Sequence, residues 1–210
     1  FFVVPIIGAA TLVSYYIITP AITVTSAIQA VEVINPSNPV LPICIGIISI
    51  LFLIQRFGTS VIGRSFGPIM FFWFLMLGII GSMNIHYDLA IFKAFNPYYA
   101  IHVLVAYPET SLILGAVFLC TTGAEALYSD LGHCGRKNIR ISWIYVKAML
   151  ILNYLGQGAW AISRIGNDMN GINPFYAIIP KDFLVFAIVM ATMAAVIASQ
   201  ALISGCYTIF

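Results

Sequence analysis

The sequence contains very little charge for its length. Of its 210 residues, 8% are Asp, Glu, Lys or Arg, whereas 61% are hydrophobic and the mean hydropathy is +1.02. Soluble globular domains carry about 25% charged residues, so this composition excludes that class. Because apolar runs of about 20 residues cross a bilayer as helices, we predict an all-α integral membrane protein surrounded by lipid. The net charge of +2 is too small for a nucleic-acid-binding surface, and we expect no such partner.

Reactive and metal-binding motifs are also lacking. The four cysteines include no CxxC pair, which argues against a transition-metal site or a disulfide framework. The sequence has no HExxH, no GxSxG and no phosphate-binding glycine loop. We therefore predict a protein that is not an enzyme and that uses no cofactor.

The apolar runs predict six transmembrane helices that form a single transmembrane domain without a soluble domain. Their approximate bounds are 3–31, 40–55, 67–84, 110–129, 141–164 and 183–206. We expect a kink at Pro20, inside the first run. The aromatic segment 85–109 is predicted to be re-entrant or interfacial. Because the chain begins at Phe1 without Met and ends in an apolar run, we interpret it as a fragment.

The basic residues that flank these runs predict the orientation of the chain. The connections 56–66 and 129–140 together hold five Lys or Arg, namely Arg56, Arg64, Arg136, Lys137 and Arg140. The alternate connections 32–39, 85–109 and 165–182 hold only Lys93 and Lys181, with Arg164 at their border. Since short cytoplasmic loops are enriched in Lys and Arg, we place the first set of connections in the cytoplasm.

Hydroxyl groups surround Pro20 in the first predicted span. Tyr15, Thr19, Thr23 and Ser26 share one helix face, and a proline frees a backbone carbonyl one turn earlier. Carbonyl and hydroxyl oxygens are suitable ligands for an alkali cation. The alternative is that the hydroxyls bond back to their own helix and only ease the kink.

A second polar group lies near the end of the fourth predicted span. Thr122 and Glu125 are three residues apart and therefore meet on one helix face. An acid at membrane depth is costly and commonly marks an ion or proton path, and a carboxylate that binds a cation can exchange it for a proton. The alternative is a neutral glutamic acid that is hydrogen-bonded between helices.

Two further polar stripes predict interhelical hydrogen bonds and close packing rather than a site. The first stripe combines amides and glycines, and the second combines hydroxyls and an amide. Their members are Asn153, Gly156, Gln157 and Gly158 in the first stripe, and Ser199, Gln200 and Ser204 in the second.

The blocks IITPAITVTSAI, TGAEALYSDLGH, GRKNIR, LNYLGQGA and VIASQALISG, in this order, resemble the Kup (KUP/HAK/KT) family of potassium uptake permeases. The resemblance covers nearly all of the chain. It implies K⁺ uptake, usually with H⁺ symport, in the cell inner (plasma) membrane, by a multi-pass protein. It also implies an inverted-repeat fold of the LeuT-like type (APC superfamily), of which this chain would supply roughly spans three to eight. The partners it implies are K⁺, H⁺ and the lipid bilayer, and a homodimer is a further candidate assembly.

The resemblance assigns roles to the polar residues described above. It implies ion binding at Thr19, Thr23, Thr122 and Glu125, and a part for Glu125 in proton coupling. The chain departs from the family pattern at Tyr15, since SYYIITPA stands where the family commonly has GDGxITPA. A neutral phenol therefore replaces the expected ion-site carboxylate, although its oxygen can still belong to the site.

Two alternative functions remain open. One is a LeuT-like transporter of an amine or amino acid, in which Glu125 would bind the amine. The other is a divergent or inactive relative that acts as a K⁺ sensor or scaffold, an interpretation motivated by Tyr15.

Overall fold

The computed structural model of the protein describes residues 18–27, 40–55, 60–120, 136–166 and 173–209. These residues are mostly helical. The α-helices of the described chain are α1 (Ile18–Ala27), α2 (Val40–Gln55), α3 (Ser60–Asn84), α4 (Pro97–Ala106), α5 (Thr110–Cys120), α6 (Arg136–Ile162), α7 (Pro174–Ala177) and α8 (Lys181–Ile209). Two 3₁₀ helices, Ile85–Tyr87 and Leu89–Phe95, lie between α3 and α4. The predicted all-α class is confirmed for the part of the chain that the structure describes.

Length and hydropathy identify two of these helical segments as able to cross a membrane, Phe66–Tyr87 and Lys181–Ala201. The short helices Ile18–Ala27 and Leu41–Ile50 are apolar but fall below the required length. The count of six spans therefore stays a prediction.

Two helices begin earlier than the apolar runs on which the predicted spans were based. Helix α3 starts at Ser60 rather than near 67 and continues through Pro68, and α6 starts at Arg136 rather than near 141. Hydropathy detects the apolar part of a helix, whereas polar and basic first turns extend the helix beyond it. With 27 residues, α6 is about 40 Å long at 1.5 Å per residue, longer than the roughly 30 Å hydrocarbon core.

The aromatic segment after α3 is helical but sharply bent. Leu89–Phe95 and Pro97–Ala106 meet at 83°, the geometry of a broken span or a re-entrant loop. A side chain caps the start of each of these two helices, since Asp88 accepts from the Ala90 N–H at 2.7 Å and Asn96, at the bend, accepts from the Tyr98 N–H at 3.0 Å. Proline at the first position of α4 has no N–H that needs a partner there, so Asn96 and Pro97 together end one helix and start the next.

The described residues belong to two compact units, drawn from Phe1–Trp73 with Ile179–Phe210 and from Phe74–Ile178. In the first unit, Val24 and Cys44 are buried together, and Ile47, Ile48 and Val196 pack against them. This apolar cluster joins α1, α2 and α8 around the turn that contains Pro20.

The second unit is built on a close crossing of α3 and α6. A Cβ atom on Gly81 would lie 2.5 Å from the Asn153 Cα, and a Cβ atom on Gly156 would lie 2.7 Å from the Gly81 Cα. Gly78 faces Met149, so the contacts advance in the same direction along both helices, which therefore run parallel. The basic connections 56–66 and 129–140 predict that α3 and α6 both start on the cytoplasmic side, and two such helices run parallel.

Candidate functional site

Helix α1 places the two threonines of the predicted ion site on adjacent turns. The Thr23 hydroxyl donates to the Thr19 carbonyl at 2.8 Å, and both residues are partly buried beside the buried Pro20. Thr25 makes the same bond to the Ala21 carbonyl, also at 2.8 Å, and is itself partly buried, but its partner Ala21 is exposed. Thr23 and Thr25 thus make the same local hydrogen bond and differ in the exposure of the residue that accepts it.

The Thr23 bond has the form of the alternative considered for this stretch, in which hydroxyls bond back to their own helix. Such a bond uses only the hydroxyl hydrogen. The hydroxyl oxygen retains its acceptor lone pairs, and oxygen lone pairs are what an alkali cation requires. Back-bonding at Thr23 therefore fixes the direction of the hydroxyl oxygen and leaves it able to bind a cation.

Helix α8 contributes a buried hydroxyl to the same turn of α1. The Ser199 Oγ donates to the Pro20 carbonyl at 3.5 Å, and Ser199 has no exposed surface. The adjacent Gln200 is also buried. The interhelical hydrogen bond predicted for this stripe is confirmed at Ser199, whereas its proximity to Thr19 and Thr23 was not predicted. The sequence does contain a signal for a contact of this kind, since Ser199 is a hydroxyl residue at the end of the small-residue stretch MAAVIAS.

The remaining predicted site residues cannot all be placed. Tyr15, Thr122 and Glu125 lie outside the described residues, and so does the side chain of Ser204. Ser26, predicted to share the face of Thr19 and Thr23, is exposed. The structure therefore brings together Thr19, Thr23 and the Pro20 carbonyl, with Ser199 behind them.

The amide and glycine stripe of α6 has a different character. Gly156 makes the predicted close packing with Gly81. Asn153 is only 5% exposed, and its Oδ1 has no hydrogen-bond partner among the described residues. The interhelical hydrogen bond expected of this stripe is thus not found for that oxygen atom within the described chain.

An asparagine on α3 makes a connection between distant parts of the chain through its side-chain amide. The buried Asn84 amide donates to the Ile80 carbonyl at 2.7 Å and to the Ile178 carbonyl at 3.2 Å. It ties the end of α3 to the turn after α7. Burial raises the pKa of the nearby Tyr176 phenol above its ordinary value, so this phenol is neutral and supplies no charge.

The apolar helices and the membrane-length segments define an integral membrane protein. The family model described as "K+ potassium transporter integral membrane domain" matches residues 1–210. The chain belongs to this family, which is the Kup family that its sequence blocks resemble.

Curated relatives agree with this assignment. The chain is similar to the "Probable potassium transport system protein Kup" of Cytophaga hutchinsonii, with 53% identity, and to the protein of the same name of Enterococcus faecalis, with 54% identity. It is 50% identical to the "Probable potassium transport system protein Kup 1" of Lactococcus lactis subsp. lactis. Each alignment covers 97% of this chain and 32% of the relative, so the chain spans about a third of the length of the curated relatives it matches. No solved structure has significant similarity to it.

Proposed function

We propose that the protein transports K⁺ into the cell across the inner membrane, with H⁺ symport. The observation that carries this proposal is the family match over residues 1–210. The names of the relatives, which describe potassium transport systems, support the same cargo. We further propose that the chain supplies six spans of a LeuT-like inverted-repeat fold.

The ion site of this proposal is made of neutral oxygens and one acid. Thr19 and Thr23 supply oxygens from α1, where the 2.8 Å bond between them fixes their relative position. Thr122 and Glu125 supply the others, and Glu125 takes part in coupling K⁺ transport to H⁺. Neutral oxygens hold K⁺ weakly enough to release it, which transport requires, and the carboxylate adds the charge that couples the ion to a proton.

Rubidium uptake tests the proposal. The complete reading frame that encodes this chain is expressed in bacteria that lack K⁺ uptake, and uptake of labelled Rb⁺ is followed at several external pH values. We expect K⁺-competable uptake that rises as external pH falls, because a co-transported proton then has a larger driving force. Glu125→Gln should abolish the pH dependence, because an amide cannot take up a proton.

The same experiment separates the alternatives. Inhibition of Rb⁺ uptake by an amino acid or amine, rather than by K⁺, would replace K⁺ as the cargo. Rb⁺ binding to the purified protein without uptake would favour the sensor or scaffold, the interpretation motivated by Tyr15. Undiminished pH-dependent uptake by Glu125→Gln would exclude Glu125 from proton coupling.

A further inference from the structure

We propose that Ser199 is a positioning residue for the K⁺ site, one that holds the Thr19–Thr23 turn in place from helix α8. The inference rests on the proposed function. Its basis is the contact between the Ser199 hydroxyl and the Pro20 carbonyl, at 3.5 Å in a fully buried place.

The contact reaches the backbone between the two proposed ligands. Pro20 directly follows Thr19, whose carbonyl accepts the hydroxyl of Thr23. The two hydrogen bonds therefore end on consecutive carbonyls of α1, one from its own helix and one from α8. A shift of the Pro20 carbonyl would move both threonine oxygens with it, since they belong to the same turn.

Apolar packing lies on the same part of α8 as this hydrogen bond. Val196, one turn before Ser199, packs against the cluster of Val24 and Cys44. A purely apolar contact can slide or rotate, because dispersion attraction has little directional preference. The hydroxyl adds a directional contact to the apolar one, and the two together fix the rotation of α1 about its axis.

The surrounding sequence indicates that the hydroxyl is not needed for packing alone. Buried alanines fill the preceding turns of α8, at Ala191, Ala194 and Ala195, and an alanine would occupy nearly the same volume as Ser199. A buried hydroxyl carries a desolvation cost that alanine avoids. The serine therefore has a role that its size does not explain, and selectivity among alkali cations depends on the placement of coordinating oxygens.

The test compares Ser199→Ala with Thr192→Val in the full-length transporter. Thr192 lies on the same helix and is partly buried, but among the described residues its hydroxyl bonds only to its own helix, at the Ile188 carbonyl, 2.9 Å away. Rb⁺ uptake is measured against concentration and with competing Na⁺, and the amount of folded transporter is measured by size-exclusion chromatography. For Ser199→Ala we expect KM for Rb⁺ to rise about twofold to tenfold, the range that a net hydrogen bond is worth. Competition by Na⁺ should strengthen, while the maximal rate per folded transporter stays unchanged.

Each outcome supports or overturns the inference. An unchanged KM and unchanged Na⁺ competition, with or without loss of folded protein, would mean that Ser199 is only structural. An equal rise of KM in Thr192→Val would also overturn it, because the effect would then belong to any hydroxyl of α8. If Ser199→Ala does not fold, Ser199→Cys carries the same test with a weak donor of similar size, and a smaller rise of KM is expected. Absence of uptake by the unmodified transporter would instead refute the proposed function.

Discussion

Helices approach each other closely in two regions of this protein, but by different means. In the first unit, α1 and α8 meet through a serine hydroxyl and a proline carbonyl, beside two threonines. In the second unit, α3 and α6 meet at Gly81 and Gly156, where the backbones are so close that no side chain fits. One contact presents oxygen atoms, and the other presents only backbone.

The Pro20 turn is suited to binding a cation, whereas the crossing at Gly81 and Gly156 is suited to holding two helices together. A glycine crossing gains stability from close backbone packing and leaves no space for an ion. The Pro20 turn contains a kink-prone residue and hydroxyl oxygens, and the Val24 and Cys44 cluster packs one turn away. We infer that the crossing at Gly81 and Gly156 keeps its shape, while the Pro20 turn supplies ligand oxygens.

Among substitutions that test this difference between the two regions, the largest loss of stability is expected for Gly156→Ala. The new Cβ would lie 2.7 Å from the Gly81 Cα, and backbone atoms cannot give way as a flexible side chain can. We expect a loss of about 1–3 kcal/mol of stability and a lower melting temperature in detergent.

Gly115→Ala is the matched control, because apart from the adjoining backbone of its own helix no atom of the described chain lies within 4 Å of its Cβ position. It should be neutral or slightly stabilising, since alanine favours the helix by about 1 kcal/mol over glycine. Equal melting temperatures for the two variants would show that the crossing is less tight than the structure indicates.

A somewhat smaller effect is expected for Asn84→Leu. The substitution removes the donor to the Ile178 carbonyl and leaves a buried acceptor without it, at a cost of about 1–2 kcal/mol. Thermal unfolding measures the change. Ser82→Ala serves as control, because within the described part of the chain that exposed hydroxyl bonds only to its own helix, at the Ile79 carbonyl. A drop no larger than that of the control would contradict a bridging role for Asn84.

The smallest effect is expected in the first unit, for Thr23→Val. Valine has the shape of threonine but lacks its oxygen atom, so KM for Rb⁺ should rise about fivefold, equivalent to roughly 1 kcal/mol. Stability should change little. Thr25→Val, which removes an identical 2.8 Å bond to the exposed Ala21, should leave KM unchanged. Parallel behaviour of the two variants would argue against Thr23 as a ligand.

Much of the fold could be predicted from composition alone. The shortage of charge predicted helices in a membrane, and the described chain is helical. The early starts of α3 at Ser60 and of α6 at Arg136 could not be predicted in this way, since polar first turns have no apolar signal. The same limit applies to the sharp bend at Asn96, which depends on capping and not on hydropathy.

For the candidate site, sequence determined the chemistry and tertiary structure decided the neighbours. The positions of Thr19 and Thr23 on one face follow from helical periodicity, a local property that sequence spacing reports directly. The pairing of Ser199 with Pro20, and of Gly156 with Gly81, joins residues far apart in the chain. Such pairs depend on how helices pack, and identical spacing is compatible with several packings. Sequence by itself therefore identified a helical membrane protein with an oxygen-rich turn, and only the tertiary structure decided which helix holds that turn in place.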